Sequence, residues 1–411
     1  MTSSEKIVFK KIRYELKLAE IKKLIGHWNQ CEKILLNALG FANTLDNEQL
    51  TAIINNTLAD IYQLKGDLEK ASHYSELALK LYQELDDDSG LADILNTIAT
   101  VHSSKGEFDL AKKYFKDALK ISKRMGDCLN IQNNLTDLAN IYSQLGKFNQ
   151  AMKYYNKALE INEDVGDRHG AAIIMGNMGN VYGMRGNYKR AMDCYEKYLN
   201  ISREVGDKQA ISIVLGNIGL IYSYKGKFDL AMDYFDQQLQ LCEELENPVG
   251  KSINLFNTGD VYLYQKEYRK AIQYMDRAIA IAKELNLQSV ICSYFIDKAK
   301  ALLGLNKLDM ARDLTAEGLK IAKKVGRQDR IFQGEVQLAV IDFSLGESDA
   351  KNKLEKMLEK ERSRQDKAVL HYELWKMTEN KTHKEKALML FHKLYLNSPS
   401  FEYRQKIREL S

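Results

Sequence analysis

The chain has 411 residues, 28% of them charged, and a formal net charge of +4. That balance is ordinary for a soluble protein, and no basic stripe of the kind that grips nucleic acid recurs along it. No stretch approaches about 18 uncharged apolar residues, which excludes a membrane-spanning helix, and the opening MTSSEKIVFKKIRYELK lacks the apolar run of a signal peptide.

The first basic cluster, Lys6 to Lys23, reads as a solvated helix face, as does a second from Lys351 to Arg408. From Gly26 onward a step of 40 residues reaches Gly66, Gly106, Gly146, Gly186 and Gly226, then Lys266, Asn306 and Gly346. Five residues beyond the first eight marks stand Cys31, Ala71, Ala111, Ala151, Ala191, Ala231, Ala271 and Ala311. A period this regular means one structural unit copied about nine times. Stacked units build an extended surface and not a pocket, which favours binding over catalysis. Only two prolines are present and no Pro/Gly-rich linker divides the chain.

The unit from Asp167 to Val205 shows how one copy folds. Asn47, Asp87, Asp127, Asp167, Asp207 and Asn247 form a column of N-cap residue types, able to accept from the free N–H groups of a starting helix. Pro248 follows at the first helical position, where its missing N–H costs nothing. Gly126, Gly166 and Gly206, just before their caps, suit the left-handed turn that ends the preceding helix. Within the unit, Ile174, Met175, Met178, Val181 and Tyr182 follow helical spacing and predict a first helix, A; Gly186 breaks the chain. Tyr188, Ala191, Tyr195, Leu199 and Ile201 then predict a second helix, B. The Ala column predicts one close helix crossing. Gly179, Gly219 and Gly259, with Ala59, Ala99, Ala139, Ala299 and Ala339, predict another.

The pattern Gly179, Tyr182, Gly186, Tyr188, Ala191, Tyr195 resembles the tetratricopeptide repeat (TPR) in its 40-residue form, over roughly residues 6 to 350. The resemblance implies an all-α, right-handed superhelical solenoid of antiparallel helix pairs, with a concave groove lined mainly by A helices. It also implies a role like that of adaptors and bacterial peptide-responsive regulators. His102 and Leu302 depart from the Tyr of their column, and Tyr198 and Gln238 replace a small residue seen as Ala118 and Ala158. Local irregularity is expected at these points and at Glu347 to Ala350, where the repeat is one residue short.

After Ala350 the phase is lost. We expect a solenoid of about nine repeats over residues 1–350, then a divergent helical repeat and capping helix over 351–411. Ala368 to Met377 and Glu385 to Leu396 read as helices, and Ser398-Pro399 reads as the cap of a final helix, Phe401 to Leu410. The phrase ALMLFHKLYLNSPSFEYRQKIREL is similar to the tails of TPR regions in large bacterial nucleotide-cyclase and kinase signalling proteins. The alternative to a free-standing scaffold is therefore a sensory or regulatory region of such a protein.

Catalytic patterns are absent: no GxxxxGK[ST], GxSxG, HExxH or calcium-loop motif occurs. His371, His383 and His392 are not spaced as a metal cluster, and His383 and His392 read as solvated. The five scattered cysteines, Cys31, Cys128, Cys194, Cys242 and Cys292, form no CxxC and read as reduced thiols in the cytoplasm. We expect no catalytic residue, metal or cofactor, and a protein or peptide as partner, with neither nucleic acid nor membrane.

Helical register puts two columns on the concave side, two residues before and one after the small Gly/Ala column. The first holds Thr57, Thr97, Asp137, Asn177, Asn217, Asn257 and Asp297; the second holds Asp60, Thr100, Asn140, Asn180, Leu220, Asp260 and Lys300. Asn is a mediocre helix former, so its repetition in mid-helix implies that the amide is used, with donors and an acceptor suited to a peptide backbone. The other use is bonding between neighbouring helices. Related repeats hold ligand peptides with Asn at such positions, which the resemblance extends to Asn140, Asn177, Asn180, Asn217 and Asn257, with Asp260 beside them. Gly176 and Gly216 imply either that the helices need room or that a partner backbone comes close. Met184, Tyr224 and Tyr264, at the inner ends of successive A helices, are anchor types, or else pack under the next repeat. Lys300 stands alone among the basic groove positions, which disfavours a clamp for a terminal carboxylate.

Overall fold

The structure is a computed structural model and describes residues 3–360 and 362–411. All its regular elements are helices; among the described residues there is no strand. They come in pairs. The first three are α1 (Ser3–Leu24) and α2 (Trp28–Thr44), α3 (Glu48–Leu64) and α4 (Leu68–Glu84), and α5 (Asp88–Ser104) and α6 (Phe108–Met125). Next come α7 (Cys128–Gln144) and α8 (Phe148–Asp164), α9 (Arg168–Met184) and α10 (Tyr188–Val205), and α11 (Lys208–Tyr224) and α12 (Phe228–Glu244). These are followed by α13 (Pro248–Tyr264) and α14 (Tyr268–Glu284), then α15 (Gln288–Gly304) and α16 (Leu308–Lys324). The chain closes with α17 (Gln328–Ser344), α18 (Ala350–Glu359), α19 (Arg364–Thr378), α20 (Lys381–Asn397) and α21 (Phe401–Leu410). Within a repeat the A helix packs along its B helix, as α3 does on α4 and α11 on α12. The B helix in turn packs on the following A helix, as α4 does on α5 and α16 on α17.

Two compact units divide the chain: one up to Asn177 with Leu245–Pro248 and Leu285–Leu287, the other Met178–Glu244, Val249–Glu284 and Gln288–Ser411. In the first, Ile12, Leu35, Leu58 and Ile61 head one fully buried cluster, while Phe115 and Leu138 lie in another. In the second, Phe235 and Val261 form one core, and Ala368, Tyr372, Phe391 and Leu410 another at the C-terminal end.

Local chemistry explains the pairing. The side chains of Asn47, Asp87, Asp127, Asp167 and Asp207 each accept from the N–H three residues on, at 2.9–3.0 Å. The Ala column from Ala71 to Ala311 and Cys31 are fully buried, which sets the close crossing. The Gly column does a second job. A Cβ on Gly179 would come 2.6 Å from the Tyr195 ring, and one on Gly219 would come 2.5 Å from the Phe235 ring. Glycine in the A helix therefore makes room for the large buried side chain of its B helix.

The expected irregularities are milder than the sequence implied. His102 stacks on Tyr114 with centroids 5.3 Å apart, as Tyr142 does on Tyr154, so an imidazole keeps the ring pair that its column makes elsewhere. Gln238 is buried, and a Cβ on Gly216 would meet its amide at 2.5 Å; the Gln238 carbonyl accepts from Asn254 Nδ2 at 2.9 Å. At the end of the chain Ser400, and not Ser398, caps α21, its hydroxyl accepting from the Tyr403 N–H at 3.1 Å. A cap must stand next to the first helical residue, and Ser400 does.

Candidate functional site

In the second unit the A helices present their inner ends beside the turns that lead into the B helices. Two of those ends are aromatic, and each stacks on the residue that opens the preceding B helix. Tyr224, ending α11, stacks on Tyr188, which opens α10, at 6.4 Å; Tyr264, ending α13, stacks on Phe228, which opens α12, at 6.3 Å. The series stops at α15, where Tyr268 lies over Gly304 and a Cβ there would overlap its ring. The sequence pattern marks Tyr224 and Tyr264 but not their partners, although Tyr188 to Tyr224 and Phe228 to Tyr264 share one spacing.

These side chains wall a cavity of about 360 Å³. Asn180, Met184, Asn217, Tyr224 and Tyr264, five of the residues singled out by register, line it together with Tyr188, Tyr195 and Leu220. Its remaining wall comes from the far end of the chain: Gln365, Ser398, Ser400, Phe401, Glu402 and Tyr403. Phe401 sets its ring edge-on against Phe228 at 5.0 Å and against Tyr264 at 6.2 Å. Two turn glycines carry this segment directly. Gly186 and Gly226 have φ of 70° and 73°, in the left-handed region, and a Cβ on Gly226 would come 2.6 Å from the Phe401 ring, while one on Gly186 would overlap Ser398.

The polar lining is divided in its use. Asn180 accepts a 2.6 Å hydrogen bond from the Tyr195 hydroxyl through its side-chain carbonyl, so its amide nitrogen stays available. Asn217 is half-buried, lines the cavity and has no hydrogen-bond partner for its side chain among the described residues. Burial pushes the Tyr224 hydroxyl up to about 12 and that of Tyr264 well above its usual range, with Asp260 adding to both and Glu402 to Tyr264 above all. Both are neutral hydrogen-bonding phenols at any physiological pH. Ser398 and Tyr188 both line the cavity.

The other singled-out residues lie apart from this cavity. Asn140, Gly176 and Asn177 belong to the first unit, where Asn140 accepts from the Tyr155 hydroxyl and Gly176 is buried. Gly216 is buried and its room is taken by Gln238. Asn257 is buried in α13. Asp260 belongs to an ionic group with Asp297, Lys300 and Arg330. Burial and the neighbouring Asp297 raise its carboxyl, while Lys300 and Arg330 pull the other way. Asp297 itself is held low by its bonds to Lys300 at 2.5 Å and Arg330 at 3.1 Å. Lys300 is thus neutralised inside the chain. Arg330 is a cation of this face that the two columns did not contain.

Among the described residues, no group of three or more His, Cys, Asp or Glu is placed to hold a metal ion, and no helix is long and apolar enough to cross a membrane. All five cysteines are free thiols. His371 and His383, far apart in linear spacing, meet with Nδ1 atoms 2.8 Å apart. The fold of α19 against α20 brings them together, which the spacing alone does not reveal.

A family model described as tetratricopeptide repeat matches residues 50–124 and 128–204, and one described as a MalT-like TPR region matches residues 178–406, more than half of the chain. The second match takes in most of the tail, which is accordingly similar to a MalT-like repeat region; the likeness to cyclase and kinase tails gains no support. No curated protein matches the chain. Among solved structures, the Rap conjugation gene regulator of plasmid pLS20, in complex with a Phr peptide, is 12% identical, covers 79% of this chain and 96% of its own, and gives a TM-score of 0.58. The apo quorum sensor NprR from B. thuringiensis is 18% identical over 87% of this chain and 99% of its own, with a TM-score of 0.52. A signal transduction ATPase with numerous domains, carrying a tetratricopeptide repeat sensor, from Pyrococcus horikoshii is 17% identical, with a TM-score of 0.53. That match covers 95% of this chain and 55% of the ATPase. At these identities the likeness establishes the fold alone.

Proposed function

Because the chain belongs to the tetratricopeptide-repeat family, we propose that it is a non-catalytic cytoplasmic scaffold that holds a peptide segment of a partner protein against its A helices. The observation that carries this reading is the cavity between α9, α11 and α13, where the unpartnered amide of Asn217 stands beside Met184, Tyr224 and Tyr264. An amide can bond a peptide N–H and C=O together, and aromatic or Met side chains contribute most when they anchor an interface. Tyr224 is 40% exposed and Met184 56% exposed, so both keep surface for a partner to bury. Peptide binding by the Rap regulator of similar fold supports the same assignment. Gly216, Asn257 and Asp260 serve in this proposal as the frame that sets the face, while Asn140, Gly176 and Asn177 belong to the first unit.

The test is an affinity capture from host lysate, read by mass spectrometry, with the wild-type chain beside Asn217→Asp of matched helicity. A partner held by the first and lost by the second supports the reading. Identical partner sets would remove Asn217 and the cavity from it.

One observation favours a second reading, a sensory region within a larger signalling protein: nearly the whole chain overlays part of an ATPase that bears a repeat sensor. Genomic sequence flanking the coding region tests it. An in-frame catalytic domain would support the sensory reading, and its absence would favour the free-standing scaffold.

A further inference from the structure

One wall of the cavity is a short segment of the chain itself, and that segment has the chemistry of a ligand. Ser398 to Ser400 link α20 to α21, with Ser400 extended at φ of −96°, and Phe401 to Tyr403 form the first turn of α21. The segment rests on the bare backbone of Gly186 and Gly226, and Phe401 enters a slot bounded by Gly226, Phe228 and Tyr264. Its grip there is light. Phe401 remains only half-buried and Glu402 is exposed, whereas Leu410 at the other end of α21 is sunk in the cluster of Tyr372 and Phe391. The helix is thus pinned from Tyr403, whose ring lies 5.8 Å from that of Phe391, to Leu410, and meets the slot through Phe401 alone.

We propose that residues 398–403 are a built-in competitor for the binding face, and that the partner is a short peptide presenting an aromatic side chain to the slot that Phe401 occupies. This rests on the peptide-binding reading above and specifies its ligand. A tethered segment competes at a high effective concentration, so the free face is populated only fractionally and apparent affinity falls by that fraction. The partner binds as the Phe401 side chain swings out, with Tyr403 and Leu410 still holding α21. The slot selects an aromatic ring because its walls are two aromatic rings and a glycine that leaves no side chain in the way.

The probe is a labelled peptide of the chain's own residues 396–411, LNSPSFEYRQKIRELS, added to the full-length protein, with a twin carrying alanine in place of its phenylalanine. Binding is measured by fluorescence anisotropy on wild type and Phe401→Ala, and amide exchange of α21 is followed in wild type at saturating peptide. The expected result is affinity about ten-fold or more higher for Phe401→Ala than for wild type, the increase expected if Phe401 fills the slot about nine-tenths of the time. The alanine twin should fail to bind, and α21 exchange should accelerate only with the phenylalanine peptide. Should Phe401→Ala fold poorly, the exchange comparison on wild type decides alone. Equal affinities with unchanged α21 exchange would overturn the competitor while leaving peptide binding intact. No binding to either protein would overturn the aromatic-slot ligand, and the Asn217→Asp capture, which does not depend on Phe401, then judges the broader reading.

Discussion

One pair of A-helix positions in the first unit is used differently from a matching pair in the second. In the first, Thr97 is buried and its hydroxyl lies 2.7 Å from Asn56 and 3.1 Å from Asp60, while Lys23 bonds Asp60 at 2.7 Å. Successive A helices are tied to one another through those positions. In the second, Asn217 stands in the column of Thr97 and Asn180 in that of Asp60, and neither bonds the other. Short hydroxyl and carboxylate side chains, with a lysine in reach, close on themselves. Amides beside large aromatic residues leave polar groups open to whatever arrives. On the peptide-binding proposal, residue type at these two positions separates a structural stretch of the face from a receptive one.

The largest effect expected is on packing, which both regions share. Phe235→Ala empties a fully buried site beside Gly219 and should cost about 3–5 kcal/mol, read as lost exchange protection in α11 and α12. If neighbouring pairs carry the stability as nearest neighbours, α3 and α4 keep their protection. Replacing Thr97 by Val should cost about 1–2 kcal/mol through the partners left unsatisfied, and should leave peptide affinity untouched. Asn217→Ala should do the reverse: stability within about 0.5 kcal/mol of wild type and peptide affinity clearly reduced. Equal behaviour of the two variants would break the contrast between the units.

Acid separates the units again. Burial and the charges of His383, Lys386 and Lys367 lower the His371 imidazole to about 4, below its ordinary value of 6.5. Its folded pKa is depressed, so the stability it contributes is present above about 6.5 and is lost as pH falls towards 4; solvent screening limits the loss to about 1 kcal/mol. Asp137, in the first unit, has the opposite sign, since burial raises its carboxyl to about 6. Its cost to folding is relieved as pH falls from about 6 to about 4. Exchange protection should thus weaken in α19 and α20 and strengthen in α7 over one titration. The smallest effect lies at a turn. Lys266 has φ of 63° where other repeats carry glycine, so Lys266→Gly should gain up to about 1 kcal/mol in denaturant unfolding.

What the sequence made legible was whatever repeats. Turn glycines, cap residues and the alanine column answer to local rules, and forty-residue copying multiplies a weak signal until the pairing is plain. Gly216 was visible as an oddity, and so was Gln238, but only the packing of α11 on α12 joins them as one accommodation. Five cavity residues could be found because register alone faces them inward. Phe401 could not, because its partners Gly226, Phe228 and Tyr264 lie several repeats away and no period connects them. The meeting of His371 with His383 was hidden for the same reason, beyond the point where the phase ends.

The recurring junction, a left-handed turn residue followed by an Asn or Asp cap, has a hereditary consequence. The six seams from Asn47 to Asn247 present the same chemistry, so an unequal crossover between any two of them adds or deletes a whole repeat without creating an unfamiliar join, whereas Leu287 and Arg327 hold the cap position of the next two. A single-residue insertion or deletion enjoys no such protection, because it turns every later apolar stripe away from its neighbour. At Gly346, the turn inside the pair α17 and α18, the chain runs on to Ala350 without a capping side chain, and the forty-residue phase does not resume. Beyond that turn the chain ceases to be extendable by copying, and the helices that follow are free to diverge as an individual sequence.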